Sequence, residues 1–116
     1  MKLPMISRLL GMTCLLACLP LLAQAEPAPA LAAARQAELI HLVRQDCGSC
    51  HGLRMEGGLG LPLTPKALEG KDPEGLKLTI LQGRYGTTMP PWSPFMNEAE
   101  AGWIVELLMK GLPDAR

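Results

Sequence analysis

Aromatic side chains are scarce in this sequence of 116 residues. The four that occur are Tyr85, Trp92, Phe95 and Trp103. Small domains bury a low fraction of their surface, and with so few large side chains the core is short of apolar volume. A self-sufficient aromatic core is therefore excluded, and we expect another apolar group to fill part of the interior.

The sequence also lacks an apolar run long enough to cross a membrane. Residues 9–22 are almost entirely apolar, but Pro20 interrupts them, and they fall short of the ~20 residues that a spanning helix needs. Two basic residues flank the run on its N-terminal side, and a small-x-small pattern ending at Ala25 follows it. We therefore predict a signal peptide over residues 1–25 and export to the periplasm.

An excess of positive charge is absent as well. The chain has 11 basic and 11 acidic residues, and loss of Lys2 and Arg8 with the signal peptide leaves 11 − 2 = 9 basic against 11 acidic residues. Nucleic-acid-binding proteins present clustered basic surface, so this class is excluded. The mild negative charge suits weak electrostatic steering toward a partner protein.

Cysteines are too few for a disulfide framework. Cys14 and Cys18 fall within the predicted signal peptide, which leaves Cys47 and Cys50 in the exported chain. Residues 15–18 also resemble a lipoprotein cleavage box. We favour an exported monomer without a membrane anchor, and a lipid anchor at Cys18 remains the alternative.

Hydrophobic periodicity predicts an all-α domain over residues 31–116, preceded by an extended, proline-containing arm over residues 26–30. The first helix covers residues 31–46 and ends at the cysteines. Alternating patterns typical of strands do not occur in the sequence, and neither do internal repeats.

Capping residues and breakers predict the remaining elements. Asp72-Pro73 opens a second helix with Gly83 just beyond its end, and a capping box at residues 97–100 opens a last helix that reaches Gly111. The rest consists of a glycine-rich loop over residues 52–63, a short turn opened by Thr64-Pro65, and an irregular proline-rich loop over residues 84–96.

The segment Cys47-Gly48-Ser49-Cys50-His51 is C-x-x-C-H, the attachment signal for c-type haem. At the end of a helix, two thiols at this spacing can each add to a haem vinyl group, and the next imidazole then meets the iron from the same side. A thioredoxin-like site needs a βαβ setting, and a zinc site needs a second Cys/His pair; the sequence offers neither. We predict one covalent haem c on Cys47 and Cys50, with His51 as an axial iron ligand.

The candidates for a second axial ligand are His41, Met55, Met89, Met96 and Met109. His41 stands on the first helix, on the same side of the attachment point as His51. Met55 follows His51 too closely to reach the opposite face. Met96 and Met109 are interpreted as packing residues in and around the last helix.

Met89 differs from the others because it follows a glycine-containing turn and precedes Pro90-Pro91. The two prolines stiffen the backbone, so a thioether can be held at a fixed position without helical support. We predict Met89 as the second axial ligand, and a plain core methionine is the alternative. His/Met ligation raises the reduction potential and leaves no open iron position, which suits electron transfer.

Across nearly all of residues 26–116 this arrangement resembles class I cytochromes c. The resemblance implies that the first and last helices cross, with Leu39 and Leu42 against Gly102, Trp103 and Leu107, and that Gly102 allows a close approach. The family usually has Gly-Pro after the first loop, with the proline carbonyl accepting the second N–H of the proximal histidine. Here Leu61 separates Gly60 from Pro62, so the carbonyl of Leu61 is expected to take that part.

The loops are more narrowly similar to the NirC-type periplasmic monohaem cytochromes c of denitrifying bacteria. The segments that carry this likeness are Asp46-Cys47-Gly48-Ser49-Cys50-His51-Gly52, Gly57-Gly58-Leu59-Gly60, Leu63-Thr64-Pro65 and Gly83-Arg84-Tyr85-Gly86-Thr87-Thr88-Met89-Pro90-Pro91-Trp92. Those cytochromes are associated with cytochrome cd1 nitrite reductase and with the making of its haem d1. In this likeness Arg84 pairs with a haem propionate or stays solvated, and Trp92 packs on the haem edge or in the core.

The resemblance implies an electron carrier rather than an enzyme, and the acidic residues show no paired arrangement of a catalytic site. Its partners are periplasmic redox proteins, with cytochrome cd1 nitrite reductase as acceptor or the haem d1 maturation proteins as the alternative. A ligand-binding haem sensor is a third, less favoured hypothesis. Brief docking is expected through an apolar patch of Leu59, Leu61, Pro90 and Pro91.

Overall fold

The computed structural model describes residues 30–113. The predicted signal peptide and all of the predicted arm except Ala30 lie outside these residues. Within them the chain is helical and contains no strand, as predicted. The elements are α1 (Ala33–Leu42), a π-helical segment (Val43–Cys47), α2 (Gly48–His51), α3 (Pro65–Leu68), α4 (Pro73–Gln82) and α5 (Glu98–Lys110). None of the helices in this part of the chain is long and apolar enough to cross a membrane.

The first helical stretch begins later and ends later than predicted. Ala32 has extended backbone angles (φ −58°, ψ 141°), so the helix begins at Ala33. It then continues through the π-helical segment, where the amide of Gly48 donates to the carbonyl of Val43, five residues back. The stretch ends only at Gly52, whose φ of 86° is open to glycine at little cost. The C-x-x-C-H motif is therefore itself helical, even though it contains Gly48.

Two of the predicted helix starts show the expected caps. Thr64 accepts a hydrogen bond from the amide of Ala67 at 3.3 Å, and Asp72 accepts one from the amide of Gly75 at 2.8 Å. Each cap is followed by proline at the first helical position, where a missing N–H costs nothing. These caps fix the first residues of α3 and α4, and so the points at which the preceding loops end.

Helix α5 begins with the predicted capping box. The amide of Glu100 donates to Asn97 Oδ1 at 2.9 Å, and the amide of Asn97 donates to Glu100 Oε2 at 2.8 Å. Glu100 is 8% exposed, and its other carboxylate oxygen accepts from Arg35 Nε at 2.6 Å. This partly buried ion pair was not predicted from the sequence, since the two residues are 65 positions apart.

The core lies where α5 packs against α1, α3 and α4. Its fully buried side chains are Leu39, Val43, Ile104 and Val105. The predicted role of Gly102 in this packing is wrong: a Cβ at Gly102 would meet only Lys77 Cδ of α4, at 3.7 Å. Ala101, one position earlier, is the small residue of α5 that is fully buried in the core cluster.

Candidate functional site

A cavity of about 380 Å³ lies beside the C-x-x-C-H helix, and its lining is mostly apolar. Its walls come from the π-helical segment, all four helices from α2 to α5, and both predicted loops. The lining includes Cys47, Cys50, His51, Leu59, Gly60, Leu61, Leu68, Ile80, Met89, Trp92, Met96, Ile104 and Leu108. Its size falls within the ~300–1,000 Å³ typical of small-molecule and cofactor cavities. All four predicted haem-binding residues therefore line one cavity.

Cys47 and Cys50 form the thiol side of this cavity. Both are free and half-buried, and both lie on one helical stretch, three residues apart. Burial, together with the charge of Asp46, raises the pKa of the Cys47 thiol to about 11. The Cys47 sulfur is thus a neutral group beside an apolar space, which fits covalent attachment of a largely apolar group.

His51 is oriented by the glycine-rich loop. Its Nδ1 lies 2.6 Å from the carbonyl oxygen of Leu61, as expected from the sequence. A carbonyl only accepts hydrogen bonds, so Nδ1 must carry the proton, and the lone pair then belongs to Nε2. This is the tautomer that a histidine needs to bind a metal through Nε2.

Gly60 supports the His51 ring from one side. A Cβ at this position would stand 2.7 Å from both Cε1 and Nδ1 of the imidazole, closer than atoms can approach. The loop is held against the motif by two backbone hydrogen bonds, from Gly57 to the carbonyl of His51 (2.7 Å) and from Gly60 to that of Cys50 (2.8 Å). Displacement of Gly-Pro by one residue thus leaves the loop anchored.

Met89 lines the same cavity and is half-buried. Its carbonyl accepts from the amide of Arg84 at 3.1 Å, and its amide donates to Thr87 Oγ1 at 3.2 Å. Gly83 allows this turn: a Cβ there would lie 2.6 Å from the Met89 carbonyl oxygen. The backbone of Met89 is therefore fixed on both sides, and Pro90 and Pro91 stiffen the chain immediately after it.

Among the other candidate ligands, Met96 differs from the sequence-based interpretation. Met96 is 6% exposed and lines the cavity together with Met89, so it is more than a packing residue near α5. Met55 is buried, but it faces a separate groove. Met109 packs against the core and His41 is exposed. Sequence reasoning missed Met96 because its position, one residue before a helix cap, says nothing about which way its side chain points.

Trp92 and Arg84 also line the cavity. Trp92 is half-buried, packs against the core cluster, and stacks at a tilt on Phe95 with 5.7 Å between ring centroids. Arg84 is exposed, and Lys71 is another cation at the cavity. A largely apolar interior with cations toward the solvent matches a haem, whose ring is apolar and whose propionates are anionic.

The predicted contact patch is exposed, as expected. Leu59 is 88% and Leu61 70% exposed, and Pro90 and Pro91 are exposed too. Leu59, Leu61 and Pro90 also line the cavity, so the apolar surface borders its opening. Clustered exposed apolar residues at the edge of a cavity are typical of a protein-contact surface.

The family model described as "Cytochrome C oxidase, cbb3-type, subunit III" matches residues 34–108. The chain belongs to the c-type cytochromes. This cytochrome is 56% identical to cytochrome c55X of Pseudomonas aeruginosa over 90 residues, which cover 73% of this chain and 76% of that protein. The solved structure of the c-type cytochrome NirC is 55% identical, with a TM-score of 0.68 over 69% of this chain and 94% of that one.

A longer relative matches the cytochrome as well. The dihydro-heme d1 dehydrogenase of Pseudomonas aeruginosa is 36% identical over 84 residues, which are 72% of this chain and 17% of the dehydrogenase. The family and fold predicted from the sequence are thus confirmed, as is haem c as the cofactor. The cavity, with its two thiols and oriented imidazole, fits that group.

Proposed function

We propose that this cytochrome is a periplasmic electron carrier in which Cys47 and Cys50 hold the haem and His51 and Met89 bind its iron. The observation that carries the proposal is that an imidazole with its Nε2 lone pair available and a thioether line the same apolar cavity. A bound haem c supplies a one-electron redox couple, whose potential depends on the axial ligands and their surroundings.

The protein's own residues set the conditions for that couple. The Leu61 carbonyl accepts the His51 N–H, which fixes the tautomer of the imidazole and keeps its ring in one orientation. The fixed backbone of Met89 presents a neutral sulfur, which favours the reduced state and so a high potential. With both His51 and Met89 bound, the iron would have no vacant position for a substrate. This supports an electron carrier rather than an enzyme or a ligand-binding sensor.

The acceptor that we propose is cytochrome cd1 nitrite reductase. The likeness to NirC supports it, and so does the apolar patch of Leu59, Leu61, Pro90 and Pro91 beside the cavity. An electron crosses fastest where the haem edge comes nearest to the surface, and a small apolar contact releases the partner quickly after transfer. Cations beside the opening, such as Arg84 and Lys71, add electrostatic orientation.

A second candidate partner is suggested by the relative named dihydro-heme d1 dehydrogenase. A dehydrogenation that forms haem d1 from its dihydro precursor releases two electrons and two protons. A carrier with one haem takes one electron, so two oxidised copies must dock in succession for each product. In this role the cytochrome accepts electrons during haem d1 maturation instead of donating them to the mature reductase.

Stopped-flow spectroscopy on the haem-loaded protein tests both roles. The reduced cytochrome is mixed with cytochrome cd1 nitrite reductase and nitrite, and the oxidised cytochrome with the dehydrogenase and dihydro-haem d1. Fast, salt-sensitive oxidation in the first mixture supports the donor role, whereas fast reduction only in the second supports the maturation role. Absence of both reactions, with an intact haem spectrum, contradicts both partners.

A further inference from the structure

Arg35 connects α1 to the segment that forms the far wall of the cavity. Its guanidinium makes three contacts: Nε to Glu100 Oε1 at 2.6 Å, Nη2 to the carbonyl of Phe95 at 3.1 Å, and Nη1 to Glu38 Oε2 at 2.9 Å. The first two reach across 65 and 60 residues of sequence. A guanidinium can make such divergent contacts because its N–H groups form a rigid planar fork.

These contacts hold the backbone on both sides of Met96. Arg35 binds the carbonyl of Phe95, which precedes Met96, and Glu100 binds the amide of Asn97, which comes after it. Because Arg35 also binds Glu100, one partly buried ion pair fixes both ends of this short stretch. The stretch carries the Met96 side chain into the wall of the cavity.

The same stretch is continuous with the predicted ligand Met89. The amides of Trp92 and Ser93 donate to the carbonyls of Ile80 and Leu81, which attaches the middle of the loop to α4. The Arg35 contacts attach its end to α1, the start of the helical stretch that carries Cys47, Cys50 and His51. The histidine side and the methionine side of the cavity are thus tied together by a guanidinium.

We infer that Arg35 is a positioning residue that holds the methionine loop over the haem and so sets the strength of the bond between Met89 and iron. The inference rests on the proposed ligation by Met89. Glu100 is buried and also caps α5, so loss of Arg35 leaves a desolvated carboxylate without its cation. We expect the resulting change to affect the residues that adjoin the cavity wall, and not the thioether bonds to Cys47 and Cys50.

The test measures the affinity of the ferric holoprotein for imidazole, which must displace the axial methionine before it can bind iron. Arg35→Gln removes the cation, Arg35→Lys keeps the charge but not the fork, and Glu38→Gln removes only the contact to an exposed carboxylate. We expect imidazole to bind about tenfold more tightly to Arg35→Gln, which corresponds to ~1.4 kcal/mol. Arg35→Lys should fall between, and Glu38→Gln should match the unchanged protein.

Each outcome separates the two proposals. Weak imidazole binding by the unchanged protein, with no tightening in either Arg35 variant, overturns the role of Arg35 even if the denaturation midpoint falls, because only general stability has then been lost. Ready binding by the unchanged protein overturns ligation by Met89 itself. If Arg35→Gln yields no folded holoprotein, the imidazole affinities of Arg35→Lys and Glu38→Gln are compared instead. Tighter binding by Arg35→Lys supports the role of Arg35, and equal affinities overturn it.

Discussion

The carbonyl oxygen of Leu61 lies 2.6 Å from Nδ1 of His51, across ten residues of sequence. This contact assigns the proton to Nδ1 and the lone pair to Nε2. It depends on the path of the glycine-rich loop rather than on any side chain, because the acceptor is a backbone atom. The loop is therefore part of the proposed iron site even though it contributes no proposed ligand.

Gly60→Ala tests this dependence, since the new Cβ would lie 2.7 Å from the imidazole. We expect the His51 ring to tilt, with a lower reduction potential and less holoprotein recovered. Gly102→Ala is the matched control: its Cβ has room, and alanine in a helix interior should raise the free energy of unfolding by ~1 kcal/mol. An unchanged potential in Gly60→Ala would show that the loop does not orient His51.

Met89→Ala should keep the haem, because the proposed attachment through Cys47 and Cys50 is covalent. We expect loss of the weak near-infrared absorbance that marks methionine bound to ferric haem, a lower potential, and ready binding of imidazole. Met109→Ala controls for loss of a core methionine away from the cavity. If the absorbance survives in Met89→Ala but vanishes when Met96 is also replaced, the sulfur on iron is that of Met96.

Acidification should weaken the contact between α1 and α5. The hydrogen bond from Arg35, with that from the Asn97 amide, lowers the pKa of Glu100 below its ordinary value of 4.5. A carboxyl whose pKa is lower in the folded state than in the unfolded state stabilises the fold fully when the pH is above the unfolded-state pKa. That contribution is lost as the pH falls through the folded-state pKa. Denaturant midpoints can be measured from neutral pH down to a pH below 4.5, the ordinary pKa of the carboxyl. As the pH falls, the midpoint should decrease more steeply for the unchanged protein than for Glu100→Gln. Parallel curves would mean that Glu100 does not titrate with folding.

The apolar patch beside the cavity can be tested with two leucines of equal exposure. Leu61 and Leu53 are each 70% exposed, but only Leu61 lines the haem cavity, whereas Leu53 lines the separate groove. Leu61→Asn keeps the backbone carbonyl and should slow electron transfer to the partner severalfold at an unchanged potential. Leu53→Asn should have no such effect, and equal slowing by both would move the docking surface elsewhere.

The sequence predicted the elements whose signals are local. Proline after a capping residue located the starts of α3 and α4, and the C-x-x-C-H spacing indicated three side chains that line one cavity. The features it missed depend on contacts between distant residues. Three features belong to this group: the pairing of Arg35 with Glu100, the turning of Met96 into the cavity, and the burial of Ala101 rather than Gly102. Each depends on how the helices pack against one another, which no local pattern encodes.

The π-helical segment Val43–Cys47 gives the first helical stretch two independent phases. Up to its first residue, Leu39 and Val43 are buried in the core; from its last residue onward, Cys47, Cys50 and His51 line the cavity. Each residue of a helix turns the next by about 100°, so deletion of the exposed Gln45 would rotate the whole attachment motif by that angle while leaving Leu39 in place. A π-helical turn contains one residue more than an α-helical turn. That residue shifts the direction of the following side chains by a fixed angle, so one continuous helix contacts the core with its first part and the cavity with its last part.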